Sequence, residues 1–293
     1  MIKKGLSRLG IYFLYLISLL PFWILYRIAD VLFILLYYVI NYRRGVVQEN
    51  LSRAFPDKTQ SERIRVEKLF YQYLADLIVE TVKSITISEK QLRKHIRMVN
   101  PELIPGYHAQ GRSVIAVGGH YCNWELAGLN FCLYTDRKFM VVYKPLSNIS
   151  FDQFFLDIRS RFGTIMVPMK QTLRKIVTYK NEPTTIALLG DQTPTREDTT
   201  YFTNFLNQPT AVFLGVEKLA RATDSVVMFY DMKRIKRGYY SCTLVSLAEN
   251  PKQTEQYEIT DLHTKHLEKT IMCEPQYWLW SHRRWKFKPE DIR

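Results

Sequence analysis

The chain has 293 residues, 47% hydrophobic and 14% aromatic, and its 41 Lys or Arg against 28 Asp or Glu leave a formal net charge of +13. That length supports one large folded unit with a substantial core, and no internal repeat or low-complexity tract interrupts it. The basic excess is spread along the chain and suits an anionic lipid surface, a phosphorylated glycolipid or an acidic carrier. With no zinc-finger spacing, aromatic RNA-binding signature or basic dimerising helix beside it, nucleic acid is excluded as a partner.

From Leu9 to Tyr42 only Arg27 and Asp30 are charged. The first piece, Leu9 to Tyr26, is uncharged and meets the lower limit for crossing a bilayer, about 17 residues. One helix over the whole stretch would be about 50 Å long against a hydrocarbon core of about 30 Å, so a break is expected at Pro21. Lys3, Lys4 and Arg8 precede the stretch and Arg43 and Arg44 follow it, so both ends prefer the cytoplasm. A shallow hairpin or in-plane helices therefore compete with a single crossing. Tyr12, Tyr15, Trp23, Tyr26, Tyr37 and Tyr38 suit an interface. No small-x-small cleavage site follows, so residues 1–45 read as an uncleaved membrane anchor and 46–293 as a catalytic domain. A buried helical hairpin of a soluble protein is the competing reading.

Ser61 to Ile85 carries Ile64, Leu69, Phe70, Tyr73, Leu74, Leu77 and Ile78 at helical spacing, with Ser61 as its cap and core packing as its role. The stretch Val114 to Glu125, VIAVGGHYCNWE, carries the chemistry. Ser113 to Val117 reads as a buried strand, and Gly118 and Gly119 as a sharp turn through positive φ. Asn123 caps the helix that follows. His120 then sits at a strand's C-terminal end, where α/β folds place ligands. Glu125, in the first helical turn, can reach back to one imidazole nitrogen and fix the tautomer. The other nitrogen stays free as a base toward a hydroxyl, the arrangement that acyl transfer needs. The same spacing recurs at His263 and Glu268, in a polar helical stretch without strand or glycine turn, which reads as a solvated face. Cys122 is a second candidate nucleophile beside its packing role. It and Cys132, Cys242 and Cys273 form no C-x-x-C pair and no metal-ligand rhythm, which fits a reducing compartment.

Phe139 to Tyr143, Thr185 to Leu189, Val226 to Tyr230 and Tyr240 to Val245 read as further strands. Helical runs separate most of them, so the fold class is α/β, a mainly parallel central sheet flanked by helices, with an N-terminal apolar helical anchor. Arg159 and Arg161 end a helix before Gly163, where an arginine can hold an oxyanion or grip a phosphate. Asp191 and Gln192 end another strand and line a cleft, positioning either substrate or the turn. His282, Arg283, Arg284 and Lys286 alternate with Trp280 and Trp285, which suits an anionic amphiphile or a terminal helix with solvated cations.

The segment GGHYCNWELAGL resembles the G-H-F-G-N-W-E motif of the lipid A biosynthesis acyltransferases, the late lauroyl and myristoyl transferases of Gram-negative bacteria. YRRGVVQENLSRAFP at Tyr42, RSRFG at Arg159, GDQTP at Gly190, TAVFLGVEKLARAT at Thr210 and EPQYWLWSHRRWK at Glu274 resemble further blocks in the family's order. One departure is Cys122, where the family commonly has glycine. The resemblance implies a glycerolipid-acyltransferase-like fold at the cytoplasmic face of a bacterial inner membrane. It implies O-acyl transfer from an acyl carrier protein or acyl-CoA thioester to a lipid A precursor. His120, Glu125 and Arg161 are then the catalytic candidates, and Asn123, Arg159, Asp191, Gln192, Arg283 and Arg284 the substrate-binding ones. No resident cofactor or metal is expected, since the thioester is a substrate. Acyl transfer to a glycerolipid, ornithine lipid or other glycolipid, and a non-catalytic membrane-binding scaffold, are the alternatives.

Overall fold

The computed structural model describes residues 2–291, with side chains from Ser7 onward; the side chains of Lys3 and Lys4 lie outside the described set. Two apolar helices, α1 (Ile2–Leu19) and α2 (Phe22–Ile34), are broken at Pro21 as expected, and α2 runs on through a π-helical turn, Leu35–Val39. Phe22–Val39 is long and apolar enough to cross a membrane. One side of this pair packs on the rest of the chain, where Leu25 and Ala29 bury against Ala75 and Val79. The other side is open: Leu9, Tyr12, Phe13 and Leu16 form an exposed stripe at helical spacing, continued by Trp23, Val31, Ile34 and Tyr38.

After α3 (Arg44–Ala54) comes the long α4 (Gln60–Lys83). Its cap is Thr59 rather than the expected Ser61. Thr59 Oγ1 accepts the Glu62 amide while the Glu62 carboxylate accepts the Thr59 amide at 2.7 Å, a reciprocal box that satisfies two orphan donors at once. The remaining elements are α5 (Glu89–His95), β1 (Ile96–Met98), α6 (Leu103–Ala109), β2 (Val114–Gly118), α7 (Trp124–Phe131), β3 (Lys138–Tyr143), α8 (Ile149–Arg159) and β4 (Ile165–Pro168). They continue with α9 (Thr172–Thr178), β5 (Thr184–Leu189), β6 (Phe202–Phe205), β7 (Gln208–Ala211), α10 (Gly215–Thr223), β8 (Val226–Lys236), β9 (Tyr239–Ala248) and α11 (Glu258–Cys273).

The sheet runs β1-β9-β8-β2-β5-β3-β4. From β8 to β4 all neighbours are parallel, while β9 turns back antiparallel on β8 through a hairpin and takes β1 along with it. Every expected strand is present. β1, β4 and the separate β6–β7 ribbon are additions, three or four residues each and too short for a periodic signal. β2 lies mid-sheet between β5 and β8 with all five residues buried, which is why it reads as an uninterrupted apolar run. The His263 stretch is not the solvated face expected of it. Ile259, His263, Leu267 and Ile271, four apart, are all buried where α11 packs on the sheet, and the polar residues between them hide that single stripe.

A buried carboxylate ties these layers together. Glu80 on α4, with no exposed surface, accepts hydrogen bonds from Tyr26 (3.0 Å), Asn123 Nδ2 (2.6 Å) and Tyr240 (2.8 Å). Nearby Asp76 accepts from Arg234 and Arg237, and Arg237 also reaches Asp30. The apolar helix α2 is thus hydrogen-bonded to α4 and to the β8–β9 turn, and it is linked to the start of α7 through Glu80. Burial outweighs those donors and pushes the Glu80 carboxyl up from 4.5 to about 7. A carboxyl whose folded pKa is raised contributes stability that is complete below 4.5 and is lost as pH rises through 7. Wild type should therefore lose stability relative to Glu80→Gln between about pH 5 and pH 8, by up to on the order of 3 kcal/mol. Denaturant titrations of both proteins across that range measure it, and parallel profiles would place the Glu80 proton elsewhere.

Candidate active site

β2 and β5 end side by side, and the Gly190 amide donates to the Gly118 carbonyl at 2.8 Å just beyond them. The loops that follow the two strands are therefore held within reach of each other. His120 follows β2 and Asp191 follows β5. The His120 Nδ1–H donates to Asp191 Oδ1 at 2.6 Å, and the His120 backbone amide and the Trp278 indole donate to Oδ2 at 2.8 and 2.9 Å. Burial by itself would raise the Asp191 carboxyl, but the charge of an imidazolium at His120 and these three donors outweigh it and hold it down to about 2. An ionised acceptor on Nδ1 keeps the proton there and leaves the Nε2 lone pair available. The exposed Gln192 amide donates to that lone pair at 3.1 Å, and the Trp124 ring meets the imidazole edge-on at 4.9 Å between centroids.

The turn that carries His120 is built by space rather than by φ. Gly118 and Gly119 do not take the positive φ expected of them; that conformation falls on Cys122, at +51°. A Cβ on Gly118 would run into the Tyr230 ring, and one on Gly119 would stand 2.7 Å from a Leu267 methyl and 3.2 Å from Asp191 Oδ2. Cys122 holds its left-handed conformation because its amide donates to the Tyr277 carbonyl at 3.0 Å, while Leu279 donates to the His120 carbonyl at 3.2 Å. Its thiol is fully buried, and burial pushes it far above its ordinary pKa. That protonated, enclosed sulfur is a packing group and not a nucleophile.

Glu125 does not reach back to the imidazole. In the first turn of α7 it faces α8, where Arg159 grips both its oxygens at 2.6 and 2.9 Å. The spacing expectation fails because a carboxylate from the neighbouring strand end takes Nδ1, and a guanidinium claims Glu125. Arg161 is likewise engaged elsewhere: its terminal nitrogens donate to the Ser84 and Ile87 carbonyls, closing the end of α4. Asn123, expected to touch substrate, has no exposed surface; its Oδ1 caps α7 through the Leu126 amide and its Nδ2 binds Glu80. Arg283 is exposed. Arg284 is 2% exposed, with Nε and Nη1 unpartnered, and burial lowers it to about 10, so it is not displayed to a surface anion. Among the described residues no group of three or more His, Cys, Asp or Glu converges as metal ligands would.

A family model for bacterial lipid A biosynthesis acyltransferases matches residues 1–287. The chain belongs to that family. It is 23% identical over 291 residues to the lipid A biosynthesis lauroyltransferase of Escherichia coli, covering 99% of this chain and 94% of that one. To the palmitoleoyltransferase of the same organism it is 25% identical over 250 residues, 84% of this chain and 80% of the relative. To a lipid A biosynthesis acyltransferase of Haemophilus influenzae it is 22% identical over 277 residues, 93% and 85% of the two chains.

In this acyltransferase of the lipid A family, blocks that are distant in sequence converge on one histidine. GDQTP supplies Asp191 and Gln192, and EPQYWLWSHRRWK supplies Trp278. The early block YRRGVVQENLSRAFP clamps the late one, with Asn50 donating to the Trp280 and His282 carbonyls and Arg43 to that of Ser281. Asp191 was missed as the partner of His120, and Trp278 as the partner of Asp191, because contacts across 71 and 87 residues leave no local spacing; the C-terminal positions of Asp191 and His120 on two strands were the available signal. Iodoacetamide should label the exposed Cys273 and leave Cys122 unmodified in the native protein, and Cys122→Ser should keep acyl transfer within a few-fold of wild type. Peptide mapping and a turnover assay check both, and inactivation that tracks labelling at Cys122 would restore the thiol as nucleophile.

Proposed function

We propose that the chain is a membrane-associated O-acyltransferase in which the Asp191–His120 pair deprotonates a hydroxyl of a lipid A precursor for attack on an acyl thioester. The observation that carries this reading is the ionised, three-donor Asp191 carboxylate on His120 Nδ1, which leaves Nε2 as the base. The acceptor hydroxyl takes the place of the Gln192 amide at Nε2. As its oxygen bonds to the thioester carbonyl carbon, its proton passes to Nε2, and Asp191 stabilises the imidazolium so formed. The carbon–sulfur bond then breaks, and the departing sulfur takes the proton back from Nε2. Acyl carrier protein or acyl-CoA serves as donor, and no enzyme-bound acyl group intervenes.

Glu125 and Arg159 take a different part. The doubly bonded guanidinium is fixed one residue beyond Trp124, which itself touches His120, and Arg159 Nη1 remains for an anionic group of the acceptor or for the thioester oxyanion. A lipid A precursor is favoured as acceptor by the names of the relatives, a lauroyltransferase and a palmitoleoyltransferase of lipid A biosynthesis. The open apolar stripe of α1 and α2 supports an anchor formed by residues 1–45, set in a bacterial inner membrane with residues 46–293 at its cytoplasmic face.

His120→Ala should abolish transfer, and Asp191→Asn should lower kcat by about 10³ to 10⁴ while vesicle binding persists, since an amide can leave the imidazole in the wrong tautomer. Glu125→Gln should cost less, because its main partner is Arg159. Single-turnover assays with a thioester donor measure all three. A Glu125 variant as inactive as His120→Ala, beside an Asp191 variant within tenfold of wild type, would return the orienting role to Glu125. Mass spectrometry of lipids from a deletion strain tests the acceptor: loss of one acyl chain from lipid A alone is the expected outcome.

A further inference from the structure

The exposed apolar surface is not confined to the N-terminal helices. Ile149 is 83% exposed at the start of α8, and Leu173 and Val177 are each 57% exposed on α9, with Leu146 and Met169 open beside them. Leu173 and Val177 are four residues apart and so share one side of α9, while Ile176, between them, turns toward the core; Met169 lies in the 3-10 turn just before the helix. β3 and β4 are parallel neighbours whose ends pair as Tyr143 with Pro168, so the segments that follow, 144–149 and 169–178, leave the sheet side by side. They leave from the same edge as His120 and Asp191, which follow the parallel strands β2 and β5. Lys144, Lys170 and Arg174 are exposed among the apolar side chains.

This patch continues the open stripe of α1. The α8 cap Asn148 lies 3.5 Å from Ser7, and Gly10 packs against the Phe151 ring, so the start of α8 is seated directly on α1 beside exposed Leu9, Tyr12 and Phe13. An isolated exposed leucine signifies little, but a contiguous apolar area edged by cations, joined to an apolar helix pair, matches the two layers of an anionic bilayer surface: acyl chains below, phosphates above. We propose that residues 144–149 and 169–177 form a second membrane-contacting shelf, which rests the active-site edge of the sheet on an anionic lipid surface. The inference deepens the proposed function: resting on the N-terminal helices alone, the rigid molecule could rock about a single contact with the bilayer, whereas two contacts fix which edge faces the lipid acceptor.

The test reads depth rather than turnover, so it stands apart from the catalytic assignment. In a Cys273→Ser background, single spin labels are placed at Ile149→Cys, Leu173→Cys and Val177→Cys. Arg137→Cys, exposed at the opposite edge of the sheet where β3 begins, is the control. The full chain is reconstituted in phosphatidylcholine vesicles containing phosphatidylglycerol. The shelf labels should become more accessible to oxygen than to an aqueous nickel chelate, and the label at 137 the reverse. Leu173→Asp with Val177→Asp should lower acylation of vesicle-embedded acceptor at least fivefold relative to the same acceptor in detergent micelles. Labels at 173 and 177 that stay fully accessible to nickel while the protein is vesicle-bound would overturn the shelf. Shielding that develops only on adding an acidic acyl carrier would assign the surface to the donor instead. Immersed labels on a protein that transfers no acyl group would leave the shelf standing and refute the catalytic reading.

Discussion

One carboxylate organises the edge of the sheet where β2 and β5 end. Asp191 takes a donor from the ring of His120, another from the backbone of His120 and a third from the indole of Trp278, so a single side chain fixes the turn, the imidazole and the C-terminal strap together. Burial without those donors would leave a carboxyl tending to protonate, and a neutral acid would no longer favour charge on the ring. The two glycines before His120 have value here for what they lack. A side chain at Gly119 would stand against Asp191 itself, and one at Gly118 would displace Tyr230.

Around this centre the buried polar groups form a second tier that reaches the N-terminal helices. Asn123 follows His120 by three residues and spends one end capping α7 and the other on Glu80; Glu80 in turn holds Tyr26 of α2. Asp76, Arg234, Arg237 and Asp30 form a parallel chain of charge-assisted bonds. Buried groups of this kind cost free energy unless each is partnered, so the apolar N-terminal segment is also held in register with the turn that bears His120. An apolar helix pair can therefore act as part of the scaffold of the site and not simply as a tether.

Much of the architecture was legible along the chain. β2, β3, β5, β8 and β9 are apolar or β-branched runs, the break at Pro21 follows from a missing amide, and the strand–turn–helix around His120 is a local grammar of apolar residues, glycine and an Asn cap. α11 was misread for an equally local reason: four inward residues at a spacing of four are diluted by Asp261, Lys265, Glu268 and Lys269. The cap of α4 was displaced by two residues because Thr59 and Glu62 satisfy each other, which Ser61 cannot do from inside the turn.

Sequence by itself determined the α/β class, the apolar N-terminal helices, and a histidine at the C-terminal end of a buried strand, because each depends on neighbours within about ten residues. Only the tertiary structure decided which carboxylate holds that histidine. Glu125 lay at a suitable spacing, but spacing along a helix says nothing of what the next strand or helix presents. Parallel pairing of β2 with β5 brings Asp191 to Nδ1, and the approach of α8 gives Glu125 to Arg159. Hydrogen bonds of that kind are settled by strand order and packing, which no local pattern of residues encodes.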